Sequence, residues 1–245
     1  MATADDLTQL GQAVWLDFIQ RRFLRDAGLS QLVAKGLRGV TSNPTIFQKA
    51  ISESDDYDEQ LHKLPRNIST EEAYEALSIA DIQRACDELR PVYDRLDAHD
   101  GFVSLEVSPE LAHDTDRTIV AAKRLSTAVG RPNIMIKVPG TEAGVPAIAK
   151  LIGMGININV TLLFSVAGYR TVAAAYIDGL TTLAKTGPTV PGGHTVNRIA
   201  SVASFFVSRV DTAIDDALPP RSPLLGTAAV ANAKVAYAAF QSIFS

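Results

Sequence analysis

The sequence predicts an α/β protein of the (β/α)-barrel type. Three observations carry that expectation. Six short apolar segments alternate with helical patterns along the 245 residues, the signature of βα units around a parallel sheet. No G-x-G-x-x-G loop follows the first strand, so the usual announcement of an open doubly wound sheet is missing. Single polar residues stand at or near the exits of otherwise apolar strands: Asp17, Thr41 with Asn43, Glu106, Lys137, Asn159 with Thr161, and Ser204. A barrel gathers such residues around one mouth.

The elements follow in order. Ala13–Phe18 is the first strand, and the helix after it is interrupted near Gly28 before continuing over Leu29–Lys35. Gly39–Pro44 is a second, very short strand, ended by Asn43-Pro44, a pair that turns the chain away from helix at Asn43. Thr45 opens the next helix. Asp55–Leu64 reads as a polar surface helix. Ser69 followed by Glu72 forms a capping box, and Leu77, Ile82, Cys86, Leu89, Tyr93 and Leu96 then recur at helical spacing. Pro91 is expected to kink or split that helix. Phe102–Pro109 is the third strand. Asp114 and Thr115 are N-cap candidates for a helix that ends at Gly130.

The fourth strand, Asn133–Gly140, carries one lysine near its downstream end. Its period of two sets Ile134, Ile136 and Val138 on one face and Met135 and Lys137 on the other. A helix is expected from Thr141-Glu142 to near Gly153. Ile156–Leu162 is the fifth strand, with Asn157, Asn159 and Thr161 alternating with apolar residues. Ser165 caps a long helix, Gly187–Gly193 is a loop, and Ile199–Val207 is the sixth strand. Helices are expected over Arg209–Leu218 and from Thr227 to the end. Nothing after Arg209 reads as a strand.

Apolar residues make up 47% of the chain and charged residues 20%, which suits a folded domain with a substantial core and excludes a disordered chain. The net charge is −4; with no Lys/Arg block, a nucleic-acid surface is not expected. The single cysteine, Cys86, excludes an internal disulfide and a cysteine-based zinc site. His62, His99, His113 and His194 are scattered, without metal-ligand spacing. Met1–Gln12 lacks the basic start and apolar run of a signal peptide, and no window approaches the ~18 apolar residues of a membrane span. The expectation is a cytoplasmic protein without membrane association.

The strand-end residues suggest a chemistry. A lysine where a strand meets a loop can act as a nucleophile toward a carbonyl, forming a Schiff base, if its site favours the neutral amine. Lys137 should therefore sit in an apolar or cation-flanked site. Asp17 and Glu106 are the carboxylates available for proton transfer during carbinolamine loss and C–C cleavage. Thr161, Asn43, Asn159 and Ser204 suit a positioned water and substrate hydroxyls. Arg209, five residues past Ser204, is the best-placed cation for a substrate phosphate.

Five stretches resemble the transaldolase family, specifically its longer bacterial type: Thr41-Ser42-Asn43-Pro44-Thr45, Ser104-Leu105-Glu106-Val107, Ile134 to Pro139, Asn157 to Ser165, and Ser204 to Arg209. The resemblance implies a TIM-type (β/α)8 barrel that needs no metal or cofactor. It implies transfer of a dihydroxyacetone unit from a ketose phosphate (sedoheptulose 7-phosphate or fructose 6-phosphate) to an aldose phosphate, within the pentose phosphate pathway. It assigns the Schiff base to Lys137, the C–C bond step to Asp17 and the catalytic water to Glu106 with Thr161. Sugar contacts fall to Asn43, Asn159 and Ser204, and a phosphate contact to Arg209. Only six βα units are readable, so the expectation is a single barrel domain over residues 1–245 that lacks the family's last two units. A Schiff-base sugar-phosphate aldolase, or an inactive truncated barrel, are the alternative readings.

Overall fold

The computed structural model describes residues 4–244. Met1, Ala2, Thr3 and Ser245, the outer ends of the terminal segments read above, lie outside the described residues. The chain divides into two compact units: one runs to Pro109 and adds Ala121–Ile136, the other takes Glu110–Val120 and Lys137 onward. The strands form one six-stranded sheet in strictly sequential order, and every pairing whose register is resolved is parallel. A doubly wound sheet reverses its order at a switch point; this one never does. The fold is TIM-type, with six βα units.

In the first unit, α1 (Ala4–Gln9), which the sequence pattern did not announce, precedes β1 (Val14–Asp17). The expected interruption at Gly28 separates α2 (Arg21–Arg25) from α3 (Gly28–Ala34). Strand β2 is Leu37–Thr41, beginning two residues before Gly39 and ending short of Asn43-Pro44. Leu37 is buried and pairs with Val14, while Asn43 leaves the strand to cap α4 (Pro44–Ser52) through Oδ1, which accepts from the Ile46 N–H at 3.0 Å. Trp15 lies opposite Gly39, and a Cβ at Gly39 would fall 2.3 Å from the indole. Only glycine lets that ring cross the neighbouring strand.

The polar stretch after α4 is a 3-10 turn, Asp55–Tyr57, followed by α5 (Asp58–Lys63). It is not wholly a surface segment, because Tyr57 is fully buried. Its hydroxyl donates to Asp81 Oδ2 at 2.9 Å, and Arg21 Nε donates to Asp81 Oδ1 at 2.8 Å. The capping box forms as expected at the start of α6 (Thr70–Arg95). Pro91 does not split α6, which is one helix of 26 residues. Leu89, Val92 and Tyr93 are buried around the proline, and Tyr93 packs edge-on to Phe102 with centroids 5.4 Å apart. That packing outweighs the single hydrogen bond that proline forfeits. Strand β3 is Val103–Glu106.

Helix α7 (Thr115–Val129) begins in the second unit, where Asp114 Oδ1 accepts from the Arg117 N–H at 2.9 Å, as the N-cap expectation required. Strand β4 is Ile134–Pro139. Helix α8 spans Gly144–Gly153 rather than starting at Thr141. Thr141 instead serves as a cap, its Oγ1 accepting from the Gly144 N–H at 3.0 Å. Strand β5 (Ile158–Leu163) leads through the Ser165 cap into α9 (Val166–Thr186). Strand β6 is Ser201–Phe205, followed by α10 (Ser208–Asp215) and α11 (Ala228–Phe244). Among the described residues no helix is long and apolar enough to cross a membrane.

Candidate functional site at the strand ends

In the first unit the parallel register sets Asp17 beside Thr41, and Thr41 beside Ser104. These three therefore stand abreast, at the carboxyl ends of β1 and β2 and at the second residue of β3. Glu106, two residues beyond Ser104, shares its face. Asp17 is exposed, while Glu106 and Asn43 are half-buried. The Thr41 hydroxyl is buried with no hydrogen-bond partner among the described residues. A buried hydroxyl left that way is costly, so this row of strand ends stores a polar demand that hydrophobic packing alone does not explain. Asn43 is committed through Oδ1 to capping α4.

Glu106 also borders a cavity of about 300 Å³ lined by Tyr74, Ser78, Gln48 and Leu105 among others. Burial, and to a lesser degree the negative charge of Glu106, pushes the Tyr74 hydroxyl up to about 12.

In the second unit, Lys137 has 7% of its surface exposed. All six residues of β4 are buried, so the lysine is not a solvated strand end. Strand β5 holds Asn159 and Thr161, each buried at 1% exposure. The Ser204 hydroxyl donates to Asn159 Oδ1 at 2.7 Å, which joins two of the expected substrate-binding residues directly. The alternation of β5 ends at a bulge: Leu162 has φ +61°, and the pairing with β6 shifts between Val160 and Leu163. The Thr161 carbonyl at this bulge accepts from the Gly140 N–H at 2.7 Å. A Cβ at Gly140 would lie 2.8 Å from Leu163 Cδ2. Glycine at the exit of β4 thus permits the close approach that holds Thr161 in place.

Arg209 lies in the first turn of α10, exposed, with Cζ 4.5 Å from the centroid of the Phe206 ring. Phe206 in turn stacks on Phe164 at 5.1 Å and 24°. This stack, the Leu162 bulge and Tyr74 were not anticipated from the sequence. The available signal was the apolar pairs Leu163-Phe164 and Phe205-Phe206, which interrupt strand alternation just where each strand runs out. Among the described residues no group of three or more His, Cys, Asp or Glu is placed to hold a metal ion. The buried Cys86 thiol is pushed up strongly by desolvation.

Comparison with known proteins adds a family. Residues 14–245 match the model for transaldolase/fructose-6-phosphate aldolase. The chain is 47% identical over 246 residues to a protein named transaldolase 2 from Streptomyces avermitilis, covering 98% of this chain and 64% of that protein. It is 47% identical over 244 residues to a transaldolase from Saccharopolyspora erythraea, with 98% and 64% covered. It is 48% identical over 246 residues to a transaldolase from Thermobifida fusca, with 98% and 65% covered. The chain therefore spans a little under two thirds of the length of these relatives. With the matched model covering nearly the whole sequence, the chain belongs to the transaldolase/fructose-6-phosphate aldolase family.

Proposed function

We propose that the protein is a transaldolase, moving a dihydroxyacetone unit from a ketose phosphate to an aldose phosphate through a Schiff base on Lys137. The observation that carries this reading is the burial of Lys137 on a strand with no exposed residue. A lysine is kept there against a desolvation cost, and amine nucleophiles are sited in that way.

Lys137 Nζ attacks the ketose C2 carbonyl, and the resulting carbinolamine loses water to give an iminium. Asp17 takes the proton of the C4 hydroxyl, the C3–C4 bond breaks, and its electron pair enters the iminium to form an enamine. The aldose phosphate leaves, and the enamine carbon attacks the aldehyde of the acceptor, whose oxygen takes the proton back from Asp17 as the iminium re-forms. Water, activated by Glu106 with Thr161, then releases the product and restores the amine. Asn159, fixed by Ser204, and Asn43 bind hydroxyls of the donor, and Arg209 binds its phosphate. In this reading all six βα units belong to one barrel domain, and the enzyme serves the pentose phosphate pathway in the cytoplasm.

The family description also names an aldolase, which supports a second reading: the same Schiff base, with the enamine protonated and dihydroxyacetone released. Borohydride reduction in the presence of fructose 6-phosphate tests both. Stable labelling at Lys137 is expected, and its absence overturns both readings. With labelling in hand, transfer to an added aldose phosphate identifies a transaldolase, while release of free dihydroxyacetone identifies an aldolase.

A further inference from the structure

Arg209 is exposed, and among the described residues its guanidinium has no hydrogen bond or ion pair; its defined contact is the face of Phe206. Stacking occupies the π surface of a guanidinium and leaves its N–H groups free at the edge, the orientation that forks onto two phosphate oxygens. The question is what holds Phe206 in place. Its backbone N–H donates to the Leu163 carbonyl at 2.9 Å, and its ring rests on Phe164. Phe164 is 42% exposed and is not held by burial. Its carbonyl instead accepts from Asn232 Nδ2 on α11 at 2.9 Å. Helix α11 is itself tied to α10, the helix that carries Arg209. Asp211 Oδ1 accepts from the Ala229 N–H at 2.9 Å, and both carboxylate oxygens of Asp215 accept from the Gly226 N–H at 3.0 and 3.1 Å.

We infer that Asn232 is a positioning residue for the phosphate-binding arginine: it pins Phe164, which with Phe206 forms the platform that aims Arg209, and so favours phosphorylated over unphosphorylated substrates. The inference rests on the proposed activity. Asn232 touches no reacting atom. Its effect is pre-organisation, since a long cation already aimed loses less freedom when the anion arrives.

The test is a double-mutant cycle on the full chain, with fructose 6-phosphate affinity measured by calorimetry. Asn232→Ala should weaken binding roughly 3- to 10-fold, the range for one side chain left to be ordered on binding. It should leave the thermal midpoint and the borohydride labelling of Lys137 by unphosphorylated dihydroxyacetone unchanged. In an Arg209→Ala background the same change should cost nothing further. Phe164→Leu, which removes the ring and keeps the carbonyl, should reproduce the loss if Asn232→Ala disturbs folding. Independent, additive losses overturn the inference, as does an equal loss of labelling with dihydroxyacetone. A wild-type chain that binds no sugar phosphate overturns the proposed activity and this inference with it, whereas binding that Asn232→Ala leaves unchanged overturns the inference alone.

Discussion

The Ser204 hydroxyl donates to Asn159 Oδ1 at 2.7 Å, from β6 to β5. The bond fixes the Asn159 amide oxygen on Ser204. If Asn159 binds a donor hydroxyl as proposed, that contact depends on a residue that need not touch the same hydroxyl. Ser204→Ala removes one hydrogen bond, worth about 0.5–1.5 kcal/mol net. The expected result is a KM for the ketose phosphate raised by roughly 2- to 10-fold, with kcat lowered less. Steady-state kinetics on Ser204→Ala and Ser204→Thr check it. Thr keeps the donor and should restore most of the loss; equal impairment in both variants would show that shape, not the bond, matters.

The bulge after Thr161 gives a second prediction. Leu162 adopts a left-handed conformation that costs a non-glycine residue on the order of 1 kcal/mol or more, yet its side chain is only half-buried. Leu162→Gly should therefore be neutral or stabilising, by up to about 1 kcal/mol, less what the lost side chain contributed. Gly140→Ala acts on the other side of the same contact, and its Cβ cannot be placed without moving Leu163 or Val160. It should destabilise by about 1–3 kcal/mol and lower kcat through displacement of Thr161. Denaturant melts of the two variants decide the matter: Leu162→Gly losing more stability than Gly140→Ala refutes this account of the bulge.

What the sequence disclosed and what it hid follow the range of the interactions. Strand ends, caps and periodic burial are local, and Ser69, Asp114 and Ser165 cap where their spacing requires. The βα alternation and the polar strand exits are local as well, so the architecture and the position of Lys137 near the end of β4 were legible. The stack of Phe164, Phe206 and Arg209 joins two strand ends about forty residues apart, and no local pattern announces it. Tyr57 was hidden for the same reason, since its polar surroundings in sequence concealed a partner at Asp81. Pro91 leaves α6 unsplit because helix propensity is a weak local preference that tertiary burial of its neighbours overrides.

The buried pairing of Arg21, Tyr57 and Asp81 supports a third prediction. Asp81 accepts from both partners, and the Arg21 guanidinium lies 4.2 Å above the Tyr57 ring. Burial raises the pKa of Asp81, opposed chiefly by its hydrogen bond from Arg21. Asp81→Leu leaves a largely buried cation unpaired and should cost about 3–5 kcal/mol. Tyr57→Phe removes one hydrogen bond and should cost about 1 kcal/mol. Equilibrium unfolding measures both, and a tolerated Asp81→Leu would show that hydrophobic packing alone holds α6 against the turn at Tyr57.

The last prediction concerns Trp15, the only tryptophan in the sequence. Its Nε1 donates to Asp100 Oδ1 at 3.2 Å, and the Gly101 N–H donates to the same oxygen at 2.9 Å. Desolvation raises the pKa of Asp100, and the hydrogen bonds from Gly101 and Trp15 oppose it only in part. The sign follows from linkage: a carboxyl whose folded pKa lies above its unfolded value contributes its stabilisation fully below the unfolded pKa and loses it as pH rises through the folded one. Asp100 therefore weighs against the fold at neutral pH. Asn at this position still offers an oxygen to Trp15 and Gly101 but never ionises. Asp100→Asn should gain stability over wild type at pH 7, and that advantage should shrink steadily on acidification toward the ordinary aspartate value of about 3.9. Trp15 emission provides the unfolding signal for both chains. In the wild type it should also change within the folded baseline, with a midpoint above that value, a step Asp100→Asn should lack. A stability difference that is constant across this pH range, or that grows on acidification, contradicts the assignment.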